Sequence, residues 1–244
     1  MKKTWVVMIL VIAALAAICS AALATQPGAI RLGEMRSAAM RAATPQAATG
    51  NKWESDIAQF EAADTQNPRA KGGVLFIGSS SIEHWKSLAE DFPGINVINR
   101  GFGGSVIADS TYYVDRIVVP YQPKMIVFYA GDNDLAEGRT PQQVFDDYVA
   151  FVTRVRSQLP ATKIAFISIK PSPARAALMR KMKTANEMIK KYDANNSNLV
   201  FIDIFTPMLA KDGGPRGELF GPDGLHMNKE GYRLWQSLIL PYLK

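Results

Sequence analysis

The chain reads as an α/β domain, a three-layer α/β/α sandwich built on a five-stranded parallel sheet. Three observations predict it. Five short apolar runs recur along the chain. The segments between them are long enough for helices, as an alternating strand–helix rhythm requires. One of those segments, and the stretch after the last run, carry strong helix-start signals. The length, 244 residues, and the 48% hydrophobic content suit one domain with a full-sized core.

The elements follow in order. A helix is expected from about Lys52 to Ala63, because Trp53, Ile57 and Phe60 recur at helical spacing. Its apolar stripe is read as packing for the core. Val74-Leu75-Phe76-Ile77 is the first buried strand and Ile95-Asn96-Val97-Ile98 the second. Met125-Ile126-Val127-Phe128-Tyr129 is the third, Ile164 to Ile169 the fourth, and Leu199-Val200-Phe201-Ile202 the fifth. Thr140-Pro141 starts a helix well, with a capping hydroxyl followed by proline at the first helical position. Asn228 can cap the last helix, which runs to about Leu243. There is no internal repeat.

The N-terminus is set apart by composition. Met1-Lys2-Lys3 is a short basic start, Thr4 to Ile30 carries no charge, and Ala22-Leu23-Ala24 is an A-x-A site. These are the three parts of a secretory signal peptide over residues 1–24, cleaved after Ala24. The expected location is then periplasmic or secreted. The alternative is an uncleaved anchor at residues 4–24 in the inner membrane, since roughly 20 apolar residues span a bilayer. Residues 25–50, rich in Ala, Gln, Thr and Pro, read as a loosely ordered arm ahead of a domain over 51–244. Cys19, the only cysteine, would be lost with the signal. The mature chain then has no disulfide and no cysteine metal site.

Charge excludes some functions. The formal charge is +6, and cleavage lowers it by two through loss of Lys2 and Lys3. That balance is mild and lacks the concentrated basic stripe of a nucleic-acid binder. The densest basic segment, Arg175, Arg180, Lys181, Lys183, Lys190 and Lys191, reads as a solvated helix face. No H-E-x-x-H, paired C-x-x-C, P-loop or complete G-x-G-x-x-G occurs, so no metal or cofactor is expected. Nothing in the sequence sets an oligomeric state.

Ligands of parallel α/β sheets bind beyond the carboxyl ends of the strands. The residues just past each strand are therefore informative. After the first comes Gly78-Ser79-Ser80-Ser81, where serines either cap a helix or present a nucleophile at its positive end. After the second comes Asn99 to Ser105, whose glycines let backbone N–H groups approach a ligand. After the third comes Gly131-Asp132-Asn133-Asp134, a polar turn or an amide placed to donate to negative charge. Late in the chain, Asp223 and His226 are three apart, close enough for the carboxylate to fix the imidazole tautomer. The mature chain has one other histidine, His84, one helical turn beyond Ser80 with no carboxylate evidently set to orient it.

Together these motifs resemble the SGNH, or GDSL-type, hydrolase family, from roughly Gly73 to the C-terminus. The resemblance implies a flavodoxin-like fold and a serine esterase. It matches Gly78-Ser79-Ser80 to the nucleophile turn, with Ser80 as nucleophile. It implies an oxyanion hole from the N–H groups of Ser80 and Gly104 and the side chain of Asn133. It matches Asp223 and His226 to the D-x-x-H block. Ser79 stands where the family motif has aspartate, which leaves Ser79 and Ser81 as competitors for the nucleophile. No cofactor is implied. The partner is a small-molecule or glycan ester, with short acyl groups favoured because the chain has no large apolar insertion. The loops after Gly131 and from Thr206 to Gly224 are candidate pocket walls, with Leu135, Phe205, Met208 and Phe220 among their residues. Acyl transfer to a sugar and non-catalytic glycan binding are the competing functions.

Overall fold

The apolar runs pair into a single sheet. β1 (Val74–Gly78), β2 (Val97–Gly101), β3 (Met125–Tyr129), β4 (Lys163–Ile167) and β5 (Leu199–Ile202) lie in the order β2-β1-β3-β4-β5. Every pairing is parallel. This is the flavodoxin-like order expected of the sequence. The structure is a computed structural model and describes residue 48 and residues 50–243. The signal segment expected at 1–24, and the arm at 25–50 apart from positions 48 and 50, lie outside the described residues. Among the described residues no helix is long and apolar enough to cross a membrane.

The strands other than β2 read as largely apolar runs because both faces of the sheet are buried. Successive side chains point to opposite faces. Leu75 and Ile77, Ile126 and Phe128, and Ile164 and Phe166 enter one core. Val74 and Phe76, Met125 and Val127, and Ala165 and Ile167 enter the other. The first core is closed by α1 (Glu54–Gln66), α4 (Ile107–Tyr112), α5 (Val114–Ile117), α7 (Pro141–Gln158) and α8 (Met179–Ala194). The second is closed by α2 (Ser80–Glu83), α3 (Leu88–Asp91) and α9 (Lys229–Ile239). A short helix, α6 (Asp132–Ala136), follows β3 directly.

The local start signals act as expected. Thr140 accepts from the Gln143 N–H, and the Gln143 side chain accepts in return from the Thr140 N–H, with Pro141 at the first helical position of α7. Asn228 accepts from the N–H groups of Glu230 and Gly231 and caps α9.

The second strand is shifted from its expected position. Ile95 is used in a turn, its N–H bonded to Phe92. The strand runs instead through the polar residues Asn99 and Arg100, in register from Val74↔Val97 to Gly78↔Gly101. A buried arginine is tolerable only when its charge is met. Asp64 of α1 receives the Arg100 guanidinium at 2.5 and 2.7 Å, and Arg100 Nε donates to the Tyr121 hydroxyl at 2.7 Å.

One buried acid gives a stability prediction. Asp193 of α8 is buried, with one oxygen accepting from the Tyr148 hydroxyl at 2.8 Å and the other without a hydrogen-bond partner among the described residues. Burial raises its pKa from 3.8 to about 7. The folded state therefore holds a proton that the unfolded chain has released, and stability falls as pH rises across that window. Asp193→Asn keeps an acceptor for Tyr148 and removes the charge. Each relieved pKa unit is worth about 1.4 kcal/mol, and each kcal/mol shifts Tm by roughly 2–4 °C. Thermal unfolding is expected to show a higher Tm for the variant at pH 8, with most of the gain gone by pH 4. An equal gain at both pH values would refute the account.

Candidate active site

The end of β1 passes very close to the end of β3. A Cβ added at Gly78, whose φ is +140°, would sit 1.8 Å from the Tyr129 carbonyl oxygen. Only glycine fits there. Ser79 continues in extended backbone, donates its N–H to Tyr129 at 3.0 Å, and hands the chain to α2. Ser80 thus opens α2 at the carboxyl end of the sheet. The chain there steps outward from β1 to β2 and then back to β3, so the position is the topological switch point. Ser79 and Ser81 are buried, whereas Ser80 is half-buried.

Beyond β2 the chain turns at Gly104, in the left-handed region at φ +73° and exposed. A Cβ there would also meet the Trp53 ring at 3.4 Å. Among the described residues, the N–H groups of Ser80 and Gly104 donate to no backbone carbonyl.

Asn133 lies in α6, just beyond the end of β3. Its Nδ2 donates to the Ser105 carbonyl at 2.9 Å, and its Oδ1 accepts from Arg175 Nη2 at 2.8 Å. A guanidinium can only donate and a carbonyl can only accept. The amide orientation is therefore fixed, and among the described residues the second Nδ2 hydrogen has no acceptor. Asp134, the last residue of that turn, is buried, and its Oδ1 accepts the Ile107 N–H at the start of α4. Burial lifts its pKa to about 7.

The late loop folds around Asp223. One carboxylate oxygen accepts the N–H groups of Leu225 at 2.9 Å and His226 at 3.0 Å. The other meets His226 Nδ1 at 2.6 Å. The Leu225 N–H, then the His226 ring and N–H, hold the Asp223 carboxyl well below the usual carboxylate range. An ionised carboxylate only accepts, so Nδ1 carries the ring proton. Nε2 is left with its lone pair, 3.0 Å from Ser80 Oγ. The His84 backbone N–H donates to the Ser80 carbonyl at 2.8 Å, but among the described residues its imidazole makes no hydrogen bond to the Ser80 hydroxyl. Its ring centroid lies 4.6 Å from that of His226, and its Nε2 lies 3.5 Å from Glu83.

This arrangement sits inside the stretch that matches a known family. The model of the GDSL-like lipase/acylhydrolase family matches residues 65–234, more than half of the chain. The chain belongs to this family. Membership makes it a hydrolase acting on ester bonds and displaces the non-catalytic glycan-binding alternative. No curated protein matches the chain. Solved structures share the acylhydrolase's fold. A Streptococcus pneumonia protein provisionally named a platelet activating factor is 18% identical over 90% of this chain and 100% of its own, with a TM-score of 0.70. A GDSL-like lipase from Bacteroides thetaiotaomicron VPI-5482 is 20% identical over 77% of this chain and 97% of its own, with a TM-score of 0.67. A carbohydrate esterase family 3 protein from Talaromyces cellulolyticus is 17% identical over 70% and 96% of the two chains, with a TM-score of 0.56.

Two expectations for the acylhydrolase need correction. Arg175 does not belong to a solvated helix face. It precedes α8, and its guanidinium reaches Asn133 and Asp132, while Arg180, Lys181, Lys183, Lys190 and Lys191 are exposed as expected. Leu135, Phe205, Met208 and Phe220, expected among the pocket walls, are buried in the two cores, because large apolar side chains in these loops gain more by turning inward, although Phe205 also lines a cavity with Phe201 and Leu209. Sequence reasoning also missed Lys170 and Asp132. The signal was present in Lys170-Pro171-Ser172-Pro173-Ala174-Arg175, which places two cations in a proline-rich turn just beyond β4.

Proposed function

We propose that this acylhydrolase cleaves short-acyl carboxylic esters, with Ser80 as nucleophile, His226 as general base and Asp223 as the group that orients it. The observation that carries the reading is the two-step relay, Asp223 to Nδ1 at 2.6 Å and Nε2 to Ser80 Oγ at 3.0 Å. The relay has the geometry of triad chemistry. His226 takes the Ser80 proton as Oγ attacks the ester carbonyl. The tetrahedral oxyanion is met by the N–H groups of Ser80 and Gly104 and by Asn133 Nδ2. His226 then gives its proton to the departing alcohol. Water, activated by the same imidazole, releases the acyl group.

The substrate class is inferred from the surroundings of Ser80. Glu83 leans over the glycine turn: a Cβ on Gly103 would come within 2.4 Å of its carboxylate. With His84, Asn133 and Arg175 also close by, the mouth is polar and charged. Such walls suit a small acyl group on a hydroxyl-rich alcohol, and one structural relative is itself a carbohydrate esterase. Aryl esters of increasing chain length test this. In a site that welcomes long chains, each methylene in a fitted pocket contributes about 1–3 kcal/mol and kcat/KM climbs. Here kcat/KM is expected to be highest for acetyl and butyryl esters and to fall for octanoyl. A maximum at octanoyl or beyond would overturn the short-acyl assignment, and absence of hydrolysis across the series would overturn the reaction.

A further inference from the structure

A chain of charges runs from the interior to the candidate oxyanion donor. Lys170 is 1% exposed, in the turn after β4. Its ammonium lies 3.0 Å from Asp132 Oδ2 and 3.1 Å from the Tyr129 hydroxyl. The same Asp132 oxygen pairs with Arg175 Nη1 at 2.8 Å. Arg175 Nη2 then donates to Asn133 Oδ1. Burying a cation and a carboxylate, with a second cation half-buried beside them, costs more than an apolar filling of the same volume would. A device so costly beneath a reaction centre points to a task there.

We propose that Arg175, held in place by Asp132 and Lys170, is a positioning residue that aims and polarises Asn133 toward the oxyanion. The inference rests on the reading of Asn133 as an oxyanion donor. Two cations against one carboxylate leave one positive charge, and the Arg175 guanidinium carries it against the amide. A charged donor on Oδ1 draws electron density through the amide and strengthens Nδ2 as a donor. The planar fork and the Ser105 carbonyl hold the amide from opposite ends, so the free hydrogen is aimed before substrate arrives. Such preorganisation is what makes an oxyanion hole effective.

Asp132 stays ionised as this requires. Burial pushes its carboxyl up, but Lys170 and Arg175 outweigh burial and bring it below the usual range. The segment from Lys170 to Arg175 is also clipped to the acid–base loop, because the Ala174 N–H donates to the Gly224 carbonyl at 3.0 Å. Arg175 is thus registered against both halves of the site.

The test is a double-mutant cycle on the full chain, with Arg175→Met, Asn133→Ala and their combination assayed on an aryl acetate beside Ser80→Ala. Arg175→Met is expected to lower kcat by about 10–100-fold with KM little changed, a share of the roughly 100–1,000-fold that loss of a donor costs. In the Asn133→Ala background the same change is expected to cost less than about twofold, because the residue acts through that amide. A merely structural role would give the full loss in both backgrounds, or a loss in KM, and would overturn the proposal. If Arg175→Met lowers Tm sharply, Arg175→Gln, which removes the charge, keeps a polar side chain and leaves the Lys170–Asp132 pair intact, carries the same comparison. Ser80→Ala separates the failures. Inactive Ser80→Ala with an additive cycle removes the role of Arg175 alone, whereas active Ser80→Ala removes the site and this inference with it.

Discussion

Ser80→Ala is expected to lower kcat on short aryl esters by about 10,000- to 1,000,000-fold, with KM and fold nearly unchanged. The change removes the attacking oxygen and nothing that binds substrate. The glycine turn, the Asn133 amide and the backbone N–H of residue 80 all remain. Ser80 is half-buried, and among the described residues its hydroxyl is engaged by His226 alone, so its loss disturbs little packing. Surface substitutions of this kind stay within about 0.5 kcal/mol in stability. His226→Ala is expected to cost nearly as much, and the double variant little more than either alone. Groups that act as one unit are strongly non-additive. Steady-state kinetics on the three variants, with thermal unfolding as a control, checks this. Full activity in folded Ser80→Ala would sink the assignment.

Asp223→Asn is the second large effect, expected at about 10,000-fold in kcat. The variant side chain keeps an oxygen for the Leu225 and His226 N–H groups, so the loop holds its shape. Its Nδ2, however, now faces His226 Nδ1 and donates. The ring proton is forced onto Nε2, which can no longer accept from Ser80. The orientation survives while the tautomer is wrong. Asp223 itself is held well below the usual carboxylate range, so its protonation does not contribute to any loss of rate through mildly acid pH. The check is kcat at neutral pH for Asp223→Asn beside Asp223→Ala. If Asp223→Asn retained most of its rate, the carboxylate would not be setting the tautomer.

The fold was legible where structure is local or imposed by burial. The five runs stand out because a parallel strand buried on both faces has no polar position to spare, as Met125–Tyr129 shows. The caps at Thr140 and Asn228 stand out because each is satisfied within three residues. β2 was misplaced because Arg100 is acceptable in a strand only through Asp64, 36 residues earlier, and no local pattern announces that pair.

The site divides in the same way. Ser80, Gly104, Asn133, Asp223 and His226 each belong to a short motif at a turn, and a backbone that must turn leaves a mark in glycine, serine and asparagine. Arg175 leaves none. Its partner Asn133 lies 42 residues away, and its neighbours in sequence are the lysines and arginine of an ordinary exposed helix. The histidine choice was also only half legible. His84 is close to Ser80 in sequence, but its ring packs beside His226 rather than reaching the hydroxyl.

The central claim, that Ser80 is the nucleophile activated by His226, is met most directly by covalent labelling. An aryl phosphonate ester phosphonylates the attacking oxygen and releases its leaving group, and the adduct can be mapped by peptide mass spectrometry. One phosphonyl group per chain is expected, on Ser80, formed quickly in the native protein and lost in His226→Ala. An adduct on Ser79 or Ser81, or equally fast labelling of Ser80→Ala, would contradict it.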